Sequence, residues 1–407
     1  MGRLRVFNLN QFINQYVTKR STSMFIHDIE ANKYALKEKI HGKSVLVIGG
    51  AGSIGSSFIK AILPFKPAAI VVVDTNENAL AELTRDLRST KGIYMPSDYM
   101  PYPMDFASPV FEKMFRSRGG FNIVGNFSAH KHVRSEKDIY SVEALLQNNI
   151  LNAKLLLDLL SEFPPETYFC VSTDKAANPV NIMGASKRIM EDVIFSYSDK
   201  FPVKTARFAN VAFSNGSLPA GFIARIQKLQ PLSAPCDVRR YFVSPEESGQ
   251  ICLLSCILGE NRDIFFPKLE EAQMMTFDGI GTELLKVHGY EVLKCTSDEE
   301  AIEKAEELKN GGRLYPVHYS VSNTSGEKTF EEFVTDTETS DMSRFTSLGV
   351  ITGKQIPDKG RIEKLFKELN AEFDKQDATK EEVIRIMKEY LPKFEHIEKG
   401  KSLDSKM

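Results

Sequence analysis

The sequence predicts a doubly wound α/β fold, a parallel sheet covered by helices on both faces, joined to a smaller α/β lobe and ending in helices. Three observations predict it. From "KSVLVIG" onward, β-branched or aromatic runs of buried-strand length alternate with longer helical patterns. A glycine-spaced turn follows the first of these strands directly, and after about residue 215 the alternation breaks.

Residues 1–41 read as an N-terminal arm of two short helical segments, "FNLNQFINQYV" and "IEANKYALKEKI". The strands "KSVLVIG", "AAIVVVD", "FNIVGNFSA", "TYFCVS" and "VKTARFANV" follow, separated by helices such as "ENALAELTRDLRS" and "SVEALLQNNILNAKLLLDLLSEF". Parallel strands need crossover connections, and those are right-handed, so this alternation implies helices on both faces. Residues 42–215, with a returning segment near 240–268, are expected to form the dinucleotide-binding domain. Residues 216–239 and 269–340, which include "GYEVLKCTSDEEAIEKAEELKNGG" and "RLYPVHYSV", read as a substrate lobe. Residues 341–407 read as a helical extension of two charged amphipathic helices, with Asp377 as N-cap of the second, and a tail.

The 407 residues, 42% of them hydrophobic, suffice for one large core and a smaller one. A formal charge of −2 without a basic stripe argues against nucleic acid as a partner. Five cysteines without a CxxC pattern, two of them (Cys252 and Cys256) on one face of "SGQICLLSCILG", read as buried thiols in a reducing cytoplasm, and no metal site is expected. The basic, amphipathic start lacks an unbroken apolar core and a cleavage site, and no stretch approaches the ~20 apolar residues of a membrane span. The expectation is a soluble cytoplasmic protein.

"VLVIGGAGSIGSSF" places Gly49, Gly52 and Gly55 between a strand and a helix. Such glycines allow a tight turn and close backbone approach, and the helix N-terminus offers free N–H groups to a pyrophosphate; Ser53 adds a hydroxyl and Ile54 lies within the same loop. Asp74 ends the next strand, where a carboxylate accepts hydrogen bonds from an adenosine ribose. It repels a 2′-phosphate, and "TNENA" offers no arginine to welcome one, so NAD is favoured over NADP.

With "NFSA", "HKHV" (130–133), "STDKAANPVNIMGASK", "RFANV…NGSLP", "RRYFVSPEESGQ" and "SGEKTFEEF", the chain resembles the extended short-chain dehydrogenase/reductases with a Rossmann fold. Within them it is most similar to the UDP-N-acetylhexosamine 4,6-dehydratases of polysaccharide biosynthesis. The resemblance spans about residues 30–335. It implies NAD-dependent oxidation at sugar C4, loss of the C5 proton and the C6 hydroxyl as water, and hydride return to C6, on a substrate such as UDP-GlcNAc.

By resemblance, Asp174 is the acid toward the C6 oxygen, Lys175 the base at C5, and Thr173 the hydrogen-bond partner of the C4 oxygen. Lys187 binds the nicotinamide ribose, Ser128 and Ala129 line the nicotinamide side, and Asp105 meets adenine. Lys131, Asn210 and Arg240 are placed at the nucleotide sugar, the last two at its diphosphate, and Glu327 at the nucleoside ribose. Arg240 has a structural alternative, pairing with Glu246 or Glu247. Met183 stands where most of these oxidoreductases carry a tyrosine, four residues before Lys187, and has no proton to exchange. The C4 proton is then expected to leave through Asp174 or Lys175, helped by Thr173 or a water. Two other readings stay open: a nucleotide-sugar 4-epimerase, which leans on the missing tyrosine, and a catalytically idle nucleotide-binding scaffold. The resemblance also implies a homo-oligomer paired through "LLQNNILNAKLLLDLL" and the helix from Gly184 to Tyr197.

Overall fold

The computed structural model describes residues 7–131, 136–322 and 331–397. Its first strand, β1 (Ser44–Ile48), is the run SVLVI, buried from Val45 onward. Side chains alternate across a strand, so Leu46 and Ile48 pack into one apolar layer with Val71 and Val73, while Val45 and Val47 enter the other with Phe58 and Val72. Burial on both faces is why these strands read as continuous apolar runs.

The remaining strands of the main sheet are β2 (Ala69–Asp74), β3 (Asp98–Pro103), β4 (Ile123–Asn126), β5 (Thr167–Thr173), β6 (Val203–Phe208), β7 (Ile264–Pro267), β8 (Thr339–Asp341) and β9 (Leu348–Thr352). Their order is β8-β9-β7-β6-β5-β4-β1-β2-β3. From β3 to β7 all neighbours are parallel, and β9 runs antiparallel to both β7 and β8. Strand order reverses between β1 and β4, and a crevice opens beyond the carboxyl ends of strands at such a point.

Helices that matter for the site are α1 (Ser53–Ile62), α2 (Asn152–Glu162), α3 (Ile182–Phe195), α4 (Leu218–Gln227) and α5 (Pro245–Leu258). Two more, α6 (Lys359–Phe373) and α7 (Lys380–Tyr390), close the described chain. Asn181 caps α3 by accepting from the Gly184 amide, and Ser244 with Glu247 forms a capping box on α5. The smaller lobe is built on three parallel strands, Glu291–Lys294, Leu314–Ser320 and Leu232–Pro235, backed by α4 and the helix Phe277–Val287.

Four expectations change. The N-terminal arm is part of both cores: Phe12, Ile13 and Val17 pack into the smaller lobe, and Phe25, Leu36 and Ile40 into the main one. Residues beyond 340 are not all helical, because β8 and β9 complete an edge of the main sheet before α6 begins. The N-cap of α7 is Thr379, whose hydroxyl accepts from the Glu382 amide, and not Asp377. The helix pair expected to meet a second copy is covered in large part by the chain itself, although Leu155 of α2 stays exposed. Leu365, Leu369, Val383 and Met387 of α6 and α7 share an apolar cluster with Leu156, Ile189, Val193 and Ile194, and the Tyr390 hydroxyl donates to Asp192 at 3.3 Å. Of the fourteen residues of α3, all but Arg188 and Asp192 are buried within the chain.

Candidate active site

The turn after β1 brings two stretches of backbone close together at one end of the crevice. Gly49 has a φ of +68°, and a Cβ there would stand 2.5 Å from the Ser128 amide nitrogen. At Gly55 a Cβ would meet the Gly49 carbonyl oxygen at 2.4 Å, so α1 starts directly against the loop. Only glycine satisfies both, and the first amides of α1 consequently face the crevice with their dipole end.

These glycines, Ser53 and Ile54 line one cavity of about 1280 Å³ together with Asp74, Asp105, Ser128, Ala129, Lys131, Thr173, Asp174, Lys175, Met183, Lys187 and Asn210. Asp74 is partly committed, accepting from the Ala51 amide at 3.0 Å and the Asn76 amide at 2.9 Å. A carboxylate has about four lone-pair positions, so acceptor capacity remains for a ribose. The Ser53 hydroxyl oxygen accepts from the Asn215 amide at 2.9 Å, tying the glycine loop to the entrance of the smaller lobe. Asp105 accepts from the Ala107 amide at 2.8 Å and is exposed at the far end.

On the opposite wall, β5 ends in Thr173 and turns at once through Asp174 and Lys175. The Thr173 hydroxyl donates to Asp174 Oδ1 at 2.6 Å, and Lys175 Nζ lies 3.1 and 3.2 Å from the two carboxylate oxygens. The Asp174 side chain is 5% exposed and that of Lys175 26%. The pair therefore faces the crevice and is not a solvated surface pair. Met183 is buried, and its amide donates to Glu136 Oε1 at 2.8 Å; Glu136 also accepts from the Ile182 amide, so a carboxylate sits at the start of α3. Lys187, one turn further, donates to the Val171 carbonyl at 3.1 Å. Burial pulls its pKa down, against the neighbouring Cys170 and Glu191, and burial with the Lys187 charge does the same to His130.

The substrate-side expectations fare differently. Asn210 lines the cavity, with its amide nitrogen 2.5 Å from Glu331 Oε1. Arg240 does not line it: the guanidinium is buried, donates to the Arg239 carbonyl at 2.9 Å and lies 3.7 Å from Glu331. Its carboxylate neighbour is thus neither Glu246 nor Glu247; Glu247 instead holds Arg20 at 2.7 Å. Glu327 lies outside the described residues, as do His132 and Val133.

Several residues the sequence reading did not single out complete the site. Glu331 is 2% exposed at its side chain and accepts from the Tyr241 amide at 3.0 Å. Burial, then the Asp174 charge, pushes its pKa up to about 7, against Lys175 and Arg240. Ser217 caps α4 at the cavity and Arg225 lines it from the same helix. A π-helical turn, Gln147–Leu151, interrupts the long apolar helix and presents Asn148 to Ser128 and Asn149 to the backbone of His130. The polar "QNN" inside an otherwise apolar run was its signal. Beneath the floor, Arg207 is fully buried between Glu191 and Glu338, with four contacts of 2.7–2.9 Å, and Ser172 donates to Glu191 at 2.7 Å. That network joins β5, α3, β6 and the returning edge below Thr173.

A family model described as "Polysaccharide biosynthesis protein" matches residues 45–352, the glycine loop, the cavity walls and the returning edge together. The chain belongs to this family, within the extended short-chain dehydrogenase/reductases. The "Uncharacterized membrane protein MJ1061" of Methanocaldococcus jannaschii is 26% identical over 85% of this chain and 96% of its own. EpsC of Bacillus subtilis, a probable polysaccharide biosynthesis protein, is 27% identical over 72% of this chain, which spans only 48% of EpsC. The "UDP-N-acetylglucosamine 4,6-dehydratase (inverting)" of Campylobacter jejuni is 27% identical over 56% of this chain and 68% of its own. Among solved structures, Pen from Bacillus thuringiensis shares the fold at a TM-score of 0.62 and 18% identity, over 81% of this chain and 98% of its own. So does Bordetella bronchiseptica WbmF in complex with NAD+, at 0.50 and 17%, over 66% and 87%. Among the described residues, no helix is long and apolar enough to cross a membrane, and no cluster of three or more metal-ligating side chains occurs.

Proposed function

We propose that the chain is an NAD-dependent nucleotide-sugar 4,6-dehydratase acting on a UDP-N-acetylhexosamine, UDP-GlcNAc first among them. The observation that carries this reading is the Asp174–Lys175 pair on the cavity wall across from the glycine loop, beside a methionine in place of a phenol. The similarity to the Campylobacter dehydratase supports it.

The glycine loop from Gly49 to Gly55 cradles the pyrophosphate, Asp74 takes the adenosine ribose and Asp105 the adenine. Ser128, Ala129 and Lys187 hold the nicotinamide end. NAD, when bound, supplies reversible hydride acceptance at sugar C4 and return at C6. Thr173 orients the C4 oxygen, Lys175 removes the C5 proton, Asp174 protonates the C6 oxygen as water departs, and a proton exchanged with solvent returns to C5 as C6 is reduced. The C4 proton leaves through the same pair, because Met183 has none to exchange.

In the proposed reaction, one proton passing along the contact from the Lys175 ammonium to the Asp174 carboxylate generates the base and the acid together. Lys131 and Asn210 bear on the sugar nucleotide, with the capped start of α4 and Arg225 nearby. Arg240 is read as support for Glu331. The test is incubation with UDP-GlcNAc and mass spectrometry: a product lighter by one water supports the reading, while an unchanged mass with inverted C4, or no turnover, rejects it.

A further inference from the structure

The chain after Thr379 returns to the start of α3, the helix that carries Met183 and Lys187. Lys380 Nζ, at the first position of α7, donates to the Glu136 carbonyl at 2.9 Å. Beyond α7 the Ile397 amide donates to the Val180 carbonyl at 3.1 Å, and His396 Nε2 lies 3.9 Å from Glu136 Oε2. Between these anchors Phe394 is 2% exposed and belongs to the apolar cluster that holds Ile182 and Met183. One segment, residues 380–397, therefore grips both the glutamate at the start of α3 and the backbone two places before that helix.

What the segment grips bears directly on the acid–base turn. The Glu136 carboxylate accepts from the Ile182 and Met183 amides at 3.1 and 2.8 Å, and Asn181 accepts from the Gly184 amide at 2.7 Å, so side chains satisfy the first three amides of α3. Gly184 in turn lies against the backbone of the turn: a Cβ there would stand 2.7 Å from the Lys175 carbonyl oxygen and 3.3 Å from its carbon. The start of α3 thus has no room to move toward Lys175, and a movement away would open a void behind it.

We propose that residues 380–397 form a strap that positions the Asp174–Lys175 pair through Glu136 and the first turn of α3, which makes Lys380 and Glu136 positioning residues for the reaction. Among the described residues, none of 380–397 lines the cavity, so the strap acts on proton transfer and not on the binding of cofactor or nucleotide sugar. Proton transfer is the step that such support protects, because a misplacement of about 1 Å can cost on the order of 10²-fold in rate.

The inference rests on the reading of Asp174 and Lys175 as acid and base, so one readout needs no turnover. Both test positions lie outside the buried core, Lys380 half-buried and Ile397 exposed. Lys380→Met and Ile397→Pro each remove one anchoring donor. Hydrogen exchange read by mass spectrometry is expected to show residues 173–184 exchanging about tenfold faster in both variants, with residues 45–60 unchanged. On UDP-GlcNAc each variant is expected to lose about tenfold in kcat, with KM and NAD affinity within about twofold of wild type. Lys380→Arg, which keeps a donor, restores both readouts. Gly184→Ala, which presses on the Lys175 carbonyl with the strap intact, lowers kcat by a similar factor. Faster exchange confined to 380–397 or spread evenly over the chain, or kcat unchanged in the two strap variants, overturns the proposal. Wild type inactive on every UDP-N-acetylhexosamine, while exchange at 173–184 still responds to the strap, rejects the dehydratase reading alone.

Discussion

The Lys175 ammonium lies 3.1 and 3.2 Å from the two carboxylate oxygens of Asp174, and both side chains line the cavity that the glycine loop closes. In the proposed reaction one member protonates the leaving oxygen and the other takes the C5 proton. Lys175→Ala is therefore expected to lower kcat on UDP-GlcNAc by on the order of 10³-fold, with cofactor affinity and melting temperature nearly unchanged. Adding Met183→Tyr does not restore it, because a phenol replaces a proton path for C4 and supplies no base at C5. Mass-spectrometric assay of the single and double variants checks both statements.

Gly49 tests the cofactor cradle. Its φ of +68° and the Ser128 amide, 2.5 Å from any added Cβ, make Gly49→Ala both strained and clashing. Gly92, at φ +87° with nothing within 4 Å, carries the strain alone. Gly92→Ala is expected to cost about 1 kcal/mol and leave NAD binding intact. Gly49→Ala is expected to cost more and to abolish binding, as read by calorimetry.

The fold was legible because its signals are local. A strand buried on both faces, a glycine turn and a capped helix each show within a dozen residues, as at Val45–Gly55 or around Asn181. The Thr173-Asp174-Lys175 turn was legible for the same reason. Arg207 and Glu338 are 131 residues apart, and Asn210 and Glu331 are 121 apart, so no spacing rule connects them. Arg240 is placed at the diphosphate by resemblance alone, and in the structure its guanidinium is buried beside Glu331. At α7 the cap is Thr379 and not the expected Asp377, because helical backbone begins at Lys380.

Arg207 is fully buried and joins two carboxylates, so removing it leaves Glu191 with Arg188 at 3.7 Å as its ion-pair partner and Glu338 with Lys354. Arg207→Met is expected to destabilise the protein by about 3–5 kcal/mol. Urea unfolding of the purified variant measures this, and a change within 1 kcal/mol argues that the network is dispensable.

The same network sets an acid limit. Arg207 and Lys354 hold Glu338 down to about 2, below the ordinary glutamate value of about 4.3. A depressed carboxylate stabilises the fold at every pH above its unfolded value, and that contribution disappears as pH falls from about 4.3 toward 2. Melting temperatures between pH 5 and 2 are expected to fall more steeply in wild type than in Glu338→Gln, which is less stable at pH 7 and has one less carboxylate to titrate.

The most direct test of the central claim is NMR of UDP-GlcNAc incubated with the protein and NAD in D₂O. The account predicts a 4-keto-6-deoxy sugar with solvent deuterium at C5 and the original C4 hydrogen at C6, formed only when both Asp174 and Lys175 are present. A sugar merely inverted at C4, or the same dehydration by a variant lacking both side chains, would contradict it.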